Sequence, residues 1–172
     1  HRVDRRQRQM CIRDRVTPDQ LRAKALSWMA DSGLDVLFVD YLQIMSGGGQ
    51  FKGNQRTQEV SYFARSLKDL ALELHIPVVA AAQLNRELEK RQDKRPILSD
   101  LRESGEIEQA ADIVVFIYRD DYYNEMTEFP NQADLIISKH RNGPTGTVSM
   151  YFEKTTTRFL NSAERAVDLS RI

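Results

Sequence analysis

The chain contains two unbroken apolar runs that each end in one polar residue. The first is residues 35–40, which are apolar from Val36 to Val39 and end at Asp40, and the second is residues 76–83, which end at Gln83. Neither run alternates with polar residues, and this is typical of strands covered on both faces of a parallel α/β sheet. Ligands of such sheets bind beyond the carboxyl ends of the strands. The pattern therefore predicts that Asp40 and Gln83 lie at one edge of the sheet.

Two helices are predicted around the first of these strands. Thr17 followed by Pro18 and Gln20 is typical of a capped helix start, and Gly33 is a suitable stop. A second helix is predicted over residues 56–75, because one stripe repeats at helical spacing; its members are Val60, Phe63, Ala64, Leu67, Leu70, Ala71 and Leu74. The strand, helix, strand order implies a right-handed crossover and a parallel pair.

The second half of the chain begins with a long polar stretch, residues 84–105, of which 85–92 has a helical interpretation. A segment of this length inside a compact domain is usually functional or disordered. A buried strand is predicted next, and then a hairpin and a short last strand; the four strands are 112–118, 133–139, 147–152 and 158–161. The predicted fold class is α/β, a mostly parallel twisted sheet flanked by helices, with a C-terminal antiparallel hairpin.

Composition narrows the class of protein. The 172 residues carry 25 Lys+Arg and 25 Asp+Glu, so nucleic-acid binding would have to come from local charge. The single cysteine, Cys11, excludes an intrachain disulfide and fits a reducing, cytoplasmic compartment. No apolar run approaches the roughly 18 residues of a membrane span, so no membrane partner is expected.

The predicted organisation has three parts. The arginine-rich residues 1–16 lack a period and are interpreted as a disordered or foreign leader rather than as a nucleic-acid arm. Residues 17–161 are predicted to form one domain, and residues 162–172 a C-terminal tail.

Two residues could act on a phosphate at the sheet edge. An acid after an apolar strand, such as Asp40, can hold a magnesium ion through water, or it can merely cap the next turn. A glutamine at a strand end, such as Gln83, can sense a terminal phosphate or orient water, or it can be an ordinary surface residue. The residues alone leave these alternatives open.

Two basic segments have a functional and a plain interpretation. Arg102, beside Ser104 and Gly105, could bring side-chain and backbone N–H groups onto a phosphodiester, or the segment could be a solvated loop before a helix. Lys139 and Arg141 could project from a rigid turn into a neighbouring subunit as an arginine finger does, or they could belong to an ordinary basic hairpin.

Together, in this order and spacing, several stretches resemble the C-terminal motor domain of bacterial and phage replicative DNA helicases of the DnaB type. The resemblance covers residues 17–161. The stretches that carry it are residues 34–45, 65–68, 82–86, 99–105, 107–109, 111–112 and 139–146.

The resemblance implies a RecA-like ATPase that forms a ring of six, uses ATP and Mg2+, and moves 5′–3′ along single-stranded DNA. It also implies primase and a helicase loader as partners. By this likeness Asp40 is the magnesium-associated acid, and Gln83 couples the γ-phosphate to the DNA loops.

The same likeness assigns the basic segments. Arg102, Glu103 and Gly105 would lie on a DNA-facing loop of the central channel, with the glycine-rich loop 47–53 as a second channel loop. Lys139 and Arg141 would reach the ATP held by the adjacent subunit.

The chain departs from the family pattern in one respect, because G-x-x-x-x-G-K-[ST] is not found in it. The family carries this loop and its catalytic glutamate upstream, so the chain is interpreted as the back portion of a helicase. By itself it is expected to bind ATP poorly and to hydrolyse none. A RecA-family recombinase or related ATPase, and a non-catalytic DNA-binding or ring-interacting fragment, remain as alternatives.

Overall fold

The computed structural model describes residues 16–49, 51, 55–101 and 105–161. The chain divides into two compact units, and the boundary along the sequence lies between Ala82 and Gln83. The predicted leader lies outside the described residues except for Val16, and the predicted tail lies outside them entirely.

The first unit opens with helix α1, Pro18–Ser32. The Thr17 side chain accepts a hydrogen bond from the Gln20 N–H, and the Gln20 side chain accepts one from the Thr17 N–H. This reciprocal pair satisfies two backbone donors that a helix start leaves without partners. The helix ends at Gly33, whose φ of 74° is a conformation that glycine adopts without steric cost. The predicted start and stop are confirmed.

A parallel strand pair follows. Strand β1 is Leu37–Val39, helix α2 is Arg56–Leu74 and strand β2 is Val78–Ala80. β1 and β2 pair in parallel, with Leu37 opposite Val78 and Val39 opposite Ala80. The predicted crossover and parallel pair are confirmed, although both strands are shorter than the apolar runs that predicted them.

One face of this strand pair is covered and the other is open. A buried cluster joins α1, β1 and α2 and consists of Ala25, Leu37, Leu70, Leu74 and Ile76. Phe38 and Val79 are register partners on the other face and are 70% and 49% exposed. The prediction that both strands are covered on both faces is therefore wrong for the described residues. An apolar run shows that a strand can be buried on both faces. Burial of the second face also requires another layer of residues packed against it.

The second unit is built on a four-stranded antiparallel sheet in the order β3-β4-β5-β6. Its helices are α3 (Gly105–Ala110) and α4 (Asp120–Tyr123), preceded by 3-10 turns at Arg86–Lys90 and Leu98–Leu101. Its strands are β3 (Ile113–Tyr118), β4 (Gln132–His140), β5 (Gly146–Glu153) and β6 (Arg158–Leu160). The predicted hairpin is β4 with β5, and the last short strand is β6.

Strand β3 differs from its prediction. It pairs antiparallel with β4 and so extends the antiparallel sheet beyond the predicted hairpin. Its burial alternates, with Val114, Phe116 and Tyr118 buried and Ile113 and Ile117 exposed. The expectation of a strand buried on both faces is wrong here, for the same reason as at Phe38.

The α/β class is confirmed, with one parallel and one antiparallel sheet among the described residues. In the same residues, no helix combines the length and the apolar content that a membrane crossing requires.

Candidate functional site

Asp40 lies directly after β1, at the carboxyl end of the parallel pair. The hydrogen bonding continues past the strands, because Ala81 N donates to Val39 O at 2.9 Å and Leu42 N donates to Ala81 O at 2.9 Å. The backbone on both sides of Asp40 is therefore held by Ala81, the residue that follows β2, and Asp40 itself is exposed. The peptide bond from Asp40 to Tyr41 is cis. The arrangement presents a carboxylate at the edge where ligands of parallel sheets bind.

Gln83 follows β2 by three residues and is exposed. Because β1 and β2 run in parallel, the chain leaves both strands at the same edge of the two-stranded sheet. Gln83 is not without a partner, because it already interacts with another group of the protein. It is also the first residue of the second unit.

The glycine-rich loop is described in part, since residue 50 and residues 52–54 lie outside the described residues. Gly48 and Gly49 have φ angles of 63° and 83°, which favour glycine. Gly47 N donates to Glu59 Oε1 at 2.9 Å, so the start of this loop is attached to the first turn of α2.

Lys139 and Arg141 lie at the end of β4 and are held by the segment that runs from α3 into β3. The Lys139 ammonium group donates to the carbonyl oxygen of Glu108. Arg141 Nη1 lies 2.9 Å from Asp112 Oδ1, and Arg141 Nη2 donates to Gln109 O at 3.3 Å. Glu108 and Gln109 belong to the last turn of α3, whose carbonyl groups lack helical partners and attract cations. The two cations thus lie at the end of β4 and cap the C-terminal end of α3.

The long polar stretch is organised by one buried carboxylate. Asp100 is 7% exposed and accepts hydrogen bonds from both terminal nitrogens of Arg91, at 3.1 and 2.9 Å. Ile97 N donates to the same carboxylate at 2.8 Å. Bidentate pairs of this kind are strong and fix direction as well as distance. The described part of this stretch is therefore held by specific contacts, and no sequence pattern predicts the pairing of Arg91 with Asp100.

A second buried carboxylate joins this stretch to the sheet. Asp134 of β4 is 5% exposed and lies 2.7 Å from Arg95 Nη2. Ser149 and the Gln132 side chain also donate to it, at 2.8 and 2.9 Å. Burial raises the pKa of Asp134, but the hydrogen bonds from Ser149, Gln132 and Arg95 outweigh it and hold the pKa below its usual value. The charge of Asp134 is thus stabilised in the folded state.

Arg95 also lies over the ring of Tyr118, 4.8 Å from its centre. The Tyr118 hydroxyl donates to Asp120 Oδ1 at 2.7 Å. Burial and this hydrogen bond raise the pKa of Tyr118 to about 12. These residues line a small cavity of about 140 Å3 together with Phe129. Their polar groups are paired with one another, which is typical of a structural network.

A third buried carboxylate secures the turn after β3. The Asp121 side chain is 4% exposed and lies 3.0 Å from Arg119 Nη2 and 2.8 Å from Lys154 Nζ. Asn131 N donates to it at 3.0 Å. Burial raises the pKa of Asp121, but the contacts with Lys154, Asn131 and Arg119 outweigh it and lower the pKa.

Asp40 fits a metal ion that arrives bound to a nucleotide better than an ion held permanently by the protein. In the described part of the chain, no group of three His, Cys, Asp or Glu side chains could hold an ion. Magnesium is often bound by one or two carboxylates, several waters and the phosphates of a substrate. A single exposed carboxylate such as Asp40 suits that kind of site.

The predicted DNA-loop residues can be placed only in part. Arg102 and Glu103 lie outside the described residues, and Gly105 is the exposed first residue of α3. The site assignments of Asp40, Gln83, Lys139 and Arg141 stay predictions.

Comparison with known proteins defines the class. Residues 2–161 match the family described as DnaB-like helicase C terminal domain. The chain is 52% identical over 149 residues to a replicative DNA helicase, DnaC, of Bacillus subtilis, with 87% of the chain covered. It is 53% identical over 152 residues to the replicative DNA helicase DnaB of Geobacillus stearothermophilus, with 88% covered.

Solved structures agree with this result. One of them, described as an ATPase domain, superposes with a TM-score of 0.79 and 43% identity, over 85% of this chain and 51% of that one. A DnaB-like replicative helicase, solved in a study of its interactions with primase, also gives 0.79 and 43%, over 85% and 36% of the two chains. The fold is that of RecA-like helicase domains.

This chain belongs to the DnaB-like helicase C-terminal domain family. It spans about a third of the length of the curated relatives, since the alignments cover 33% of both.

Proposed function

We propose that this chain is part of an ATP-dependent replicative DNA helicase that moves 5′–3′ on single-stranded DNA and unwinds duplex at the replication fork. The family membership supports a helicase over a recombinase or a related ATPase. The structural observation that carries the proposal is the parallel pairing of β1 and β2, with Asp40 at their carboxyl edge. That edge is where a doubly wound or RecA-like sheet receives a nucleotide.

The proposed roles follow from the chemistry of each side chain. Asp40 would hold the magnesium of Mg-ATP through water, and Gln83 would respond to the terminal phosphate. Lys139 and Arg141 would act on the ATP of the adjacent subunit in a homo-hexamer. Positive charge at a transferring phosphoryl group stabilises its transition state.

The DNA-facing segment is proposed to be Arg102, Glu103 and Gly105, at the start of α3, where the Arg102 side chain and backbone N–H groups would follow the phosphodiester backbone. Primase and a helicase loader are the proposed protein partners of the full-length protein, which would work in the cytoplasm. The expectation that the 172-residue chain alone hydrolyses no ATP stays a prediction.

The sharpest test is Arg141→Ala in the full-length protein that carries this chain. Turnover should fall by at least about 10³-fold, because an arginine finger contributes about 10³–10⁵ in rate. Nucleotide binding within one subunit should be kept, as measured by equilibrium binding of a fluorescent ATP analogue. Glu87→Gln is the matched control, because Glu87 forms an exposed ion pair with Lys90 in the same unit and its loss should leave turnover unchanged.

Mixed rings of wild-type and Arg141→Ala subunits locate the defect. If Arg141 acts in trans, each variant subunit should silence the site of its neighbour. Unchanged hydrolysis by the all-variant ring would contradict the trans assignment.

A further inference from the structure

The contacts of Arg141 leave part of its guanidinium available. Arginine has five N–H donors in a fixed plane. Two of its nitrogens are engaged within the unit, Nη1 with Asp112 Oδ1 at 2.9 Å and Nη2 with Gln109 O at 3.3 Å. The Arg141 side chain is nevertheless 48% exposed. It can therefore keep both contacts and still donate to a second anion.

The backbone around this pair is also fixed. Arg141 N donates to Asp112 O at 2.8 Å, directly beyond the pairing of β3 with β4. Asp112 thus holds Arg141 through its carbonyl group and through its carboxylate. The neighbouring contact of Lys139 with Glu108 O attaches the same strand end to α3.

An exposed ion pair of this kind adds little to folding stability. Asp112 and Arg141 are 51% and 48% exposed, and ion pairs at such exposed sites contribute little to stability. A planar guanidinium held at two nitrogens loses much of its rotational freedom, however, and the direction of its remaining donors is then set. The pair is better suited to directing Arg141 than to stabilising the fold.

We propose that Asp112 is a positioning residue, which, with the carbonyl group of Gln109, orients the Arg141 guanidinium toward the nucleotide of the neighbouring subunit. This inference rests on the proposed function, because it gives Asp112 its role through Arg141. Asp112 touches neither nucleotide nor DNA in this assignment.

The test is a set of variants in the full-length protein. Asp112→Asn should lower kcat for ATP hydrolysis by about 10- to 100-fold, since a misplacement of about 1 Å can cost that much. KM should stay within about twofold, because the guanidinium acts in the transition state rather than in ground-state binding. Asp112→Glu keeps the charge and should recover part of the rate. Glu87→Gln remains the matched control for loss of an exposed ion pair.

A double variant separates positioning from a structural role. The double variant, Asp112→Asn with Arg141→Ala, should hydrolyse ATP no more slowly than Arg141→Ala alone, because both changes remove the same function. In mixed rings the Asp112→Asn defect should act on the neighbouring site. Thermal unfolding of each variant shows whether the unit is folded. If Asp112→Asn does not fold, Asp112→Glu replaces it in the comparison of rates.

Three results would overturn the inference: an unchanged or raised kcat in Asp112→Asn, a loss that adds to that of Arg141→Ala, or no recovery with Glu. A raised kcat would mean that Asp112 competes with the phosphate for Arg141. If Arg141→Ala itself keeps full turnover, the proposed function of Arg141 fails as well. If Arg141→Ala is inactive and Asp112→Asn is normal, only the positioning role fails.

Discussion

The two units differ in where their paired charges lie, at the surface or in the interior. The first unit packs an apolar cluster between its helices and β1, and its Arg22–Glu73 ion pair lies on the surface. Among the described residues of the second unit, three carboxylates have less than a tenth of their side chains exposed and are each paired with arginine: Asp100, Asp121 and Asp134. A buried charge is tolerated only where several donors compensate for the lost water.

The candidate functional residues of the two units are also held in place by different contacts. Asp40 is an exposed carboxylate placed by the backbone of a parallel pair. Lys139 and Arg141 are placed by side-chain contacts with α3 and Asp112. The comparison teaches that the first unit positions its residue through strand pairing, and the second through charge pairing between segments distant in sequence.

The largest expected effect tests the apolar side of the comparison. Leu70→Ala should lower the free energy of unfolding by about 2–5 kcal/mol, because Leu70 is buried in the cluster of the first unit. Leu72 of the same helix is 58% exposed, so Leu72→Ala should change it by less than about 0.5 kcal/mol. Urea unfolding gives both values. Amide exchange should rise most in α1 and α2, and an equal rise in β3–β6 would mean that the units do not differ.

The next effect tests the charged side. Asp134→Asn should cost about 1–3 kcal/mol, because it weakens three hydrogen bonds and leaves Arg95 without its anion. Urea unfolding at neutral pH measures the loss, with Glu87→Gln as the exposed control.

The pH dependence of this loss has a definite sign. The folded pKa of Asp134 is lowered from an unfolded value of about 3.9. Its stabilisation is therefore fully present above about pH 4 to 5 and is lost as the pH falls toward the folded pKa. Asp134→Asn should flatten the fall in stability between about pH 5 and 3, and an unchanged slope would remove Asp134 from the account.

The smallest effect concerns a local contact of the first unit. Thr17→Ala should cost about 1 kcal/mol, since it removes the side-chain acceptor of the α1 capping box. Thr17→Ser keeps the hydroxyl and should be close to neutral. Circular dichroism during urea unfolding measures both, and equal losses would assign the effect to packing of the Thr17 methyl group.

Apart from the parallel pairing of β1 with β2, the predictions that held were decided by nearby residues. The start of α1 depends on Thr17 and Gln20, three positions apart, and the end on Gly33. The stripe of α2 repeats within one helix. The hairpin of β4 and β5 depends on a short turn. Each of these signals is contained within one helix or one hairpin.

The errors concern the surroundings of a strand. Phe38, Val79 and Ile113 lie in apolar segments, yet one face of their strands is open in the described residues. An apolar strand shows that cover is tolerated and does not show which layer supplies it. The pairing of β3 with β4 was also outside the pattern, because β-pairing is set between segments.

The sequence by itself determined helices α1 and α2, the positions of the strands along the chain, the parallel β1–β2 pair and the resemblance to the family to which the chain belongs. Only the tertiary structure decided that Arg95 meets Asp134, 39 positions away, and that Arg141 meets Asp112 and Gln109. Helix caps and periodicity act between residues that are neighbours along the chain. Ion pairs over such separations exist only after the backbone has brought their partners together, so no local pattern contains them.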